Sequence, residues 1–437
     1  MGVWLVNELR MYDAVVVGAG ILGLATAYHM KRLRPEDNIV VLERLAGPGM
    51  GNTSKSAGMF RSFFYSKTNL TLADTSIEFY RHVHEELKHD LGIKWTGYLW
   101  LYDEETYRRA EPVLKDMASR GVKYTDFTGE EVAQRMGQRR ELSGDVEAKV
   151  MGLANVDYGV LVPKAGAIDV DALAKFYANS FVGMGGEIRY KTAVKRLVLE
   201  PRTSMGLPGE PYFWQEGRVV GVETEDGRVI RARKTVVAAG VWSIRLLDQV
   251  GVDGHFKPKK RQLFSVRAET EELRRLLYTK DLNPEGCMPF LILPRPRVYI
   301  KPVLEENAFW LSYADEFGRP FQLEDEPKAE ENYYRYGIYP IVTKYLPQFE
   351  GRMPYASWAG LYAINTLDGQ PVIFEENNLL VVGGASGSGI MKADAIGRIA
   401  ASLYVGEEQA ELYGGVRFRV SDLGMEKRRV EPEKLVI

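Results

Sequence analysis

Two kinds of apolar run alternate along this chain. Continuous β-branched runs, apolar on both faces, predict central strands of a parallel sheet. They occur at Tyr12–Val17, Asn38–Leu42 and Leu379–Val382, and again at Lys234–Gly240, which ends in glycine. Longer mixed stretches predict helices over Leu24–Leu33, Leu70–Leu91, Glu104–Arg120, Asp169 to Met184, Lys328–Leu346 and Ala393–Tyr404. Thr128 with Glu131 forms a capping box for another short helix, and Asp169 is an N-cap. Further strands are expected at Trp95–Tyr102, Glu187–Tyr190, Ala193–Leu199, Lys257–Val266 and within Pro289–Tyr313. Val219–Ile230 reads as a hairpin turning on Asp226-Gly227, and Pro201–Gly217 as a surface insertion.

The first strand runs directly into Gly18-Ala-Gly20-Ile21-Leu22-Gly23 and then into a helix. The second strand ends at Glu43, 20 positions after Gly23. Strand, G-x-G-x-x-G, helix and a later acidic residue together make a dinucleotide-binding fingerprint. Gly18 permits the tight turn, Gly20 lets the backbone approach a pyrophosphate, and Gly23 lets the helix pack on the strand. The helix N-terminus offers free N–H groups to phosphate, and Glu43 accepts from a ribose diol. The fingerprint alone does not separate NAD from FAD, although its place near the start of the chain favours FAD.

Two more glycine-rich segments accompany it. Gly47–Arg61 is small and polar, with aromatics following at Phe63, Phe64 and Tyr65, which predicts a buried segment pressed against a flat ring. Gly383–Gly389 sits between the last strand and a helix, so it offers a second helix N-terminus to negative charge, such as that of a reduced flavin. His82, His84 and His89 lack i, i+4 spacing, so surface or capping roles are expected and no metal site.

Composition narrows the chemistry. With 437 residues, 57 Lys+Arg against 59 Asp+Glu, there is no basic field to recruit nucleic acid. One cysteine, Cys287, excludes an intramolecular disulfide, a dithiol pair and cysteine-rich metal sites, so redox chemistry has to come from a bound organic cofactor. Met1–Arg10 carries Glu8 and does not read as a signal peptide, and the apolar Ala14–Tyr28 is too short to span a bilayer. A cytoplasmic protein is expected, with peripheral membrane association or homo-oligomerisation left open.

Four segments, taken together, resemble the FAD-dependent D-amino-acid oxidase-like superfamily: Val15–Gly23 with Glu43, Ser54–Arg61, Val236–Ser243, and Trp358–Tyr362 through Asp368–Pro371 to Gly383–Gly389. Within it the chain is similar to the sarcosine oxidase, glycine oxidase and dye-linked L-proline dehydrogenase branch, and closest to the last. The resemblance implies an α/β fold: a Rossmann-type FAD-binding domain of discontinuous segments (10–90, 160–250 and 350–415) and a substrate domain with a mixed β-sheet and helices (91–159 and 255–349), followed by a tail, 416–437. It implies FAD contacts from Gly18, Gly20, Ile21, Leu22, Gly23, Glu43 and Arg44 in the first turn. Ser54, Ser56, Ala57, Gly58 and Met59 follow, then Val194 at the adenine, and Ala239, Gly240 and Trp242. Gly360, Tyr362, Asp368, Gly384, Ser386, Gly387, Ser388, Gly389, Ile390 and Met391 complete the set.

Departures from the family refine the expectation. The branch's covalent attachment cysteine is absent next to Tyr362, so FAD is expected to be non-covalent. The oxygen-activating lysine of sarcosine oxidases falls at Trp310, which points to a dehydrogenase with a dye-like or quinone-like acceptor. The implied reaction is hydride transfer from a small amino acid to flavin N5, with L-proline giving the cyclic imine 1-pyrroline-5-carboxylate as first choice. Pro258–Phe264 resembles the proline branch. Arg61 would fix the substrate carboxylate, with Lys392 behind it. Tyr299 and Trp310 would wall the site, with sheet core as their alternative role. The alternatives are a sarcosine- or glycine-type amine oxidase and a flavoprotein subunit of a multi-chain electron-transfer complex.

Overall fold

A computed structural model describes residues 11–435; Met1–Arg10 and the Val436–Ile437 end of the tail lie outside the described residues. The β-branched runs assemble as the sequence pattern predicts. Strands Leu379–Gly383, Val229–Val237, Tyr12–Val17, Ile39–Leu42 and Glu187–Arg189 lie side by side, all parallel. Val372–Glu376 closes one edge antiparallel, and Val194–Pro201 with Gly217–Thr224 extends from Val229–Val237 as an antiparallel arm. One face of this sheet (Ala14, Val16, Val41, Val236, Val382) is covered by helices Ile21–Leu33, Lys67–Glu85, Val170–Gly183 and Gly389–Tyr404. The other face (Val15, Val17, Val40, Val237, Val381) packs on Leu197, Val219, Leu246 and Leu247. Burial on both faces is why these strands lack polar alternation.

A second eight-stranded sheet runs in the order Ala356–Asn365, Phe256–Arg267, Ala308–Ser312, Tyr299–Val303, Phe290–Ile292, Tyr98–Tyr102, Tyr158–Val162, Thr125–Thr128. Period-two alternation divides its side chains. Leu99, Leu101, Leu291, Ile300 and Leu311 pack on Tyr334, Ile338, Val342 and Tyr345. The opposite set, Tyr98, Trp100, Tyr102, Phe290 and Ile292, packs with Met59, Phe63 and the partly buried Tyr299. The same aromatic face also packs on Leu114, Met117 and Val122, in and just after helix Glu104–Ser119. The sequence division groups 350–415 with the dinucleotide segments; within that range Ala356–Asn365 ladders along Phe256–Arg267 of the second sheet over ten residue pairs.

Several elements differ from expectation for local reasons. Val229–Val237 is one continuous strand rather than a hairpin arm followed by a separate strand, because its first half pairs with the arm and its second half with the parallel sheet. The Leu70–Leu91 helix runs Lys67–Glu85: Ser66 caps its start, and His84 Nδ1 accepts the Leu91 N–H (3.1 Å) after the chain has turned away. Lys328–Leu346 begins helical only at Glu331, with a π turn over Tyr333–Ile338 continuing into Tyr339–Tyr345. The helix expected from Ala393 starts four residues earlier, at Gly389. The capping box at Thr128–Glu131 and the Asp169 N-cap form as predicted. No described helix is long and apolar enough to cross a membrane.

Two glycine-opened helices, Ile21–Leu33 and Gly389–Tyr404, lie against each other. A side chain at Gly397 would meet the Ala25 backbone at 2.7 Å, so glycine sets their approach. A buried charge network joins them: His29 Nε2 lies 2.7 Å from Asp394 Oδ1, Arg398 donates to Asp394 Oδ2 (2.6 Å), and the Tyr177 hydroxyl donates to Oδ1 (3.2 Å). Desolvation holds the His29 imidazole below its ordinary value of 6.5, with Asp394 opposing, while His29 and Arg398 outweigh burial to keep the Asp394 carboxyl low. Removing one partner strands the rest: Asp394→Ala is expected to cost ~3–5 kcal/mol in denaturant unfolding. Because both folded pKa values lie below their unfolded ones, the unfolded chain binds more protons on acidification. Stability is therefore expected to fall as pH drops below about 6.5, measured as melting temperature against pH, and His29→Gln removes the part of that slope nearest pH 6.5.

Candidate active site

Between the two sheets lies a cavity of about 410 Å³. Its floor is the first turn. Gly18 has φ +103°, and a Cβ there would strike the Ala238 carbonyl at 2.8 Å; a Cβ on Gly23 would sit 2.0 Å from the Gly18 carbonyl. The three glycines thus do different work: Gly18 and Gly20 line the cavity, whereas Gly23 does not and serves the packing of helix on turn. Glu43 carries out a structural task that the spacing did not reveal. Its Oε2 accepts the Ala19 N–H (2.8 Å) and its Oε1 the Leu45 N–H (2.9 Å), so the carboxylate fixes the turn while bordering the cavity.

The rest of the predicted set divides cleanly. Ile21, Leu22, Arg44, Ser56, Ala57, Val194, Ala239, Gly240, Trp242, Gly360, Tyr362, Gly384, Ser386, Gly387, Gly389, Ile390 and Tyr299 all line the same cavity. Ser54, Gly58, Met59, Asp368, Ser388 and Met391 do not. Asp368 is engaged by Arg428 through two 2.6 Å hydrogen bonds, Ser388 donates to the Ala385 carbonyl (2.8 Å), and Met391 is buried in the helix core. Gly387 has φ +85°, and a Cβ there would lie 2.2 Å from the Tyr362 ring, so loop and ring fit only with glycine.

Further lining residues escaped the sequence reading. Thr53 accepts the Ile21 N–H (3.1 Å), Asn52 accepts the Leu361 N–H (2.9 Å), and Lys55, Lys195, Arg245 and Arg261 add positive charge to the wall. Thr53 and Asn52 fall inside the glycine-rich loop that had been singled out, but nothing in their spacing marks them. Burial, then the nearby Arg44 guanidinium, lowers the Lys55 ammonium.

The four candidate catalytic residues lie around one end of the cavity, and only Tyr299 borders it. Tyr98, Phe290 and Tyr299 form a chain of ring contacts (centroids 4.4 and 5.2 Å) leading from the wall to Arg61, which lies 4.4 Å over Phe64, 5.5 Å over Trp100 and 6.0 Å over Tyr98. Arg61 is buried; its Nε donates to the Phe63 carbonyl (3.1 Å), and its terminal nitrogens donate to no described residue. Burial lowers its pKa. Lys392 is fully buried, donates to the Asn69 side chain, and lies 5.2 Å over Phe64. Burial, then Arg61, pushes its ammonium down to about 7, with Glu433 opposing. The tail supplies that countercharge: Glu433 accepts from the Tyr65 N–H (3.0 Å), the Ser66 N–H (3.3 Å) and Asn69 Nδ2 (3.0 Å), and Leu435 is buried beside it.

Trp310 stands edge-on to Trp358 (4.7 Å) and donates to Glu306 (3.1 Å). Across the ladder, Lys301 pairs with Trp310; its ammonium lies 4.3 Å over the indole and donates to the Ala57 carbonyl (2.6 Å). Burial holds Lys301 down at about 8. A lysine thus stands one strand away from the position that tryptophan occupies, and only the strand register discloses it.

The residues present fit a flavin dinucleotide. Two helices begin at the cavity, at Ile21 and Gly389, with glycines that leave the backbone open. The cationic wall suits a pyrophosphate. Trp242 Nε1 and Arg261 Nε, buried donors on residues that border the cavity, have no partner among the described residues. Cys287 is buried outside the lining, its thiol pushed up to about 12 by burial.

Comparison with known proteins agrees with this geometry. The chain is 23% identical over 419 residues to FAD-dependent oxidoreductase domain-containing protein 1 of Xenopus laevis, covering 90% of this chain and 79% of that protein. It is 24% identical over 289 residues to the L-2-hydroxyglutarate dehydrogenase of Salmonella houtenae, covering 64% and 60% of the two chains. In fold it is similar to the crystal structure of L-proline dehydrogenase from P. horikoshii, with a TM-score of 0.70 at 21% identity, covering 90% of this chain and 93% of that one. The model of the DAO family, described as FAD dependent oxidoreductase, matches residues 13–403, and the chain belongs to that family.

Proposed function

We propose that this FAD-dependent oxidoreductase oxidises a small amino acid at its C–N bond, with L-proline the leading substrate and 1-pyrroline-5-carboxylate the product. FAD, held without a covalent bond, supplies the hydride acceptor when bound. The segments 10–90, 160–250 and 350–415 hold it, and 91–159 with 255–349 close over the substrate. The protein is placed in the cytoplasm, with electrons leaving to a quinone-like or dye acceptor.

The observation that carries this reading is Arg61: a buried guanidinium, stacked on aromatic rings, with terminal nitrogens that donate to no described residue. A desolvated fork of that kind suits bidentate capture of a carboxylate. Lys392 beside it adds a second positive charge. Tyr299 and its neighbours Phe290 and Tyr98 keep water from the reacting carbon, and the same apolar wall favours the neutral amine that hydride loss requires. No general base is needed for that step.

A second reading, an oxidase of sarcosine or glycine, is favoured by Lys301, whose ammonium at the Trp310 ring restores a lysine to this part of the sheet. Anaerobic mixing with a panel of amino and 2-hydroxy acids separates the readings. Proline is expected to bleach the flavin absorbance and to drive dye reduction faster than oxygen uptake. Bleaching by a hydroxy acid alone refutes the amine reading, bleaching by sarcosine or glycine without proline refutes the substrate, and oxygen uptake matching dye reduction favours the oxidase. Isolation as a stable multi-chain particle would instead indicate a subunit of an electron-transfer complex.

Arg61→Gln is expected to lose about 100-fold in kcat/KM for proline, the ~3 kcal/mol of a charge-assisted pair, while FAD content stays that of the native protein. With Lys392 at about 7, the dissociation constant of a carboxylate lacking the amine is expected to rise as pH passes upward through 7, because the ammonium is lost. Lys392→Met should remove that inflection, which titration of flavin absorbance would read.

A further inference from the structure

The segment 314–330 leaves the second sheet after Ala308–Ser312 and returns to it before the Tyr333 turn. Its two ends are held firmly. At the outgoing end, the buried Lys259 ammonium donates to the Glu316 and Arg319 carbonyls (2.7 Å each), and the Arg261 guanidinium reaches the Asp315 carbonyl (3.2 Å) and the Glu316 carboxylate. At the returning end, the Glu330 N–H donates to Gln262 Oε1 (2.6 Å), and the Glu330 carboxylate takes Arg319 in a two-pronged pair (3.1 Å each) and Lys260 (3.1 Å). All four anchors, 259 to 262, come from one strand of the second sheet.

The apex behaves otherwise. Asp325 crosses to the first-sheet half, where it accepts from both terminal nitrogens of Arg245 (2.9 and 3.2 Å) and stands 3.6 Å from Arg44. Among the described residues this is the hydrogen-bonded and ion-paired tie between the apex and that half. Both arginines line the cofactor cavity, and Arg44 lies 4.4 Å over Trp242, another lining residue. Asp325 is 56% exposed in its side chain, and Arg245 51%, so the tie is a water-facing ion pair of low strength and strong salt dependence. Pro320 and Pro327 flank the apex, and Gly318 takes a φ of +79° where the segment turns outward. Within the span Glu324 stands 3.6 Å from Lys260 and Phe321 lies 4.5 Å from the Lys259 ammonium, so the second sheet holds it along its length, while its tie to the first-sheet half runs through the exposed Asp325 pair on two cavity-lining arginines; that has the construction of a gate.

We propose that 314–330 is a lid over the cofactor cavity, latched by Asp325 on the rim arginines Arg44 and Arg245, and that unlatching controls the rate at which the flavin dinucleotide enters and leaves. A gate differs from a ligand contact in a way that can be measured. Opening a gate speeds entry and exit alike and leaves the equilibrium where it was; losing a contact speeds exit alone.

The test uses the full-length holoprotein and its flavin-free form, with FAD fluorescence following release after dilution and capture after mixing. Asp325→Ala at low ionic strength is expected to raise both rate constants about fivefold, with the dissociation constant unchanged within about twofold. In the native protein both rates should climb as added salt shortens the screening length towards ~8 Å, and the variant should lose most of that response. Asp325→Arg, which places a cation against two others, should release and capture faster still. A rise in the exit rate alone, with FAD binding weakened in proportion, would show that Asp325 orients the arginines and gates nothing. Unchanged rates in both variants would overturn the lid as well.

Discussion

Everything at the cavity depends on how two helices are held together. Ile21–Leu33 and Gly389–Tyr404 both begin at the cavity, so both present free N–H groups to it, and the distance between those beginnings is set by their mutual packing. Gly397 permits backbone contact with Ala25, and the His29–Asp394 pair fixes the register. Burying a carboxylate among helices is expensive unless each oxygen is satisfied. Here His29 and Tyr177 share one oxygen and Arg398 takes the other, so the network costs little as a set and tolerates no missing member. It also recruits helix Val170–Gly183 through Tyr177, while Tyr80 of helix Lys67–Glu85 donates to the Ile390 carbonyl (2.8 Å) in the first turn of the second glycine-opened helix. Three helices are thereby referenced to one buried charge, and a fourth is tied to the start of the helix that carries it.

The first-sheet half was legible because its information is local. Tyr12–Val17, the glycine turn and Glu43 are contiguous in sequence, and their physical demands fall on those same residues. The second sheet was harder to read. Thr125–Thr128 and Tyr158–Val162 are short, and their pairing partners are distant, so neither composition nor period marks them. The site splits the same way. Residues in strand-turn-helix motifs were found, whereas Thr53, Asn52 and Arg245 act through positions that folding alone brings to the wall.

Lys301 is the sharpest instance. Aligning the sequence places tryptophan where related enzymes carry a lysine, and the inference about oxygen follows from that substitution. The register pairs Lys301 with Trp310 on adjacent strands, and the Lys301 ammonium lies 4.3 Å over the indole, so a lysine stands against the very position where the resemblance expected one. Asp368 gives the opposite lesson: it belongs to a recognisable motif, yet Arg428 claims its carboxylate for the fold.

Ala356–Asn365 is where the second sheet hands the chain on to the first. This strand is stitched to Phe256–Arg267 along its whole length, contributes Trp358, Gly360 and Tyr362 to the cavity, and is followed within a few residues by the strands at the edge of the first sheet. The chain therefore crosses the seam between the halves beside the cavity. What joins the halves at this point is the short connection 366–371, which leads from the ladder of the second sheet to Val372–Glu376 at the edge of the first. The wall that carries Trp358, Gly360 and Tyr362 and the crossing between the halves are therefore one stretch of backbone, so strain at the crossing is felt at the cavity.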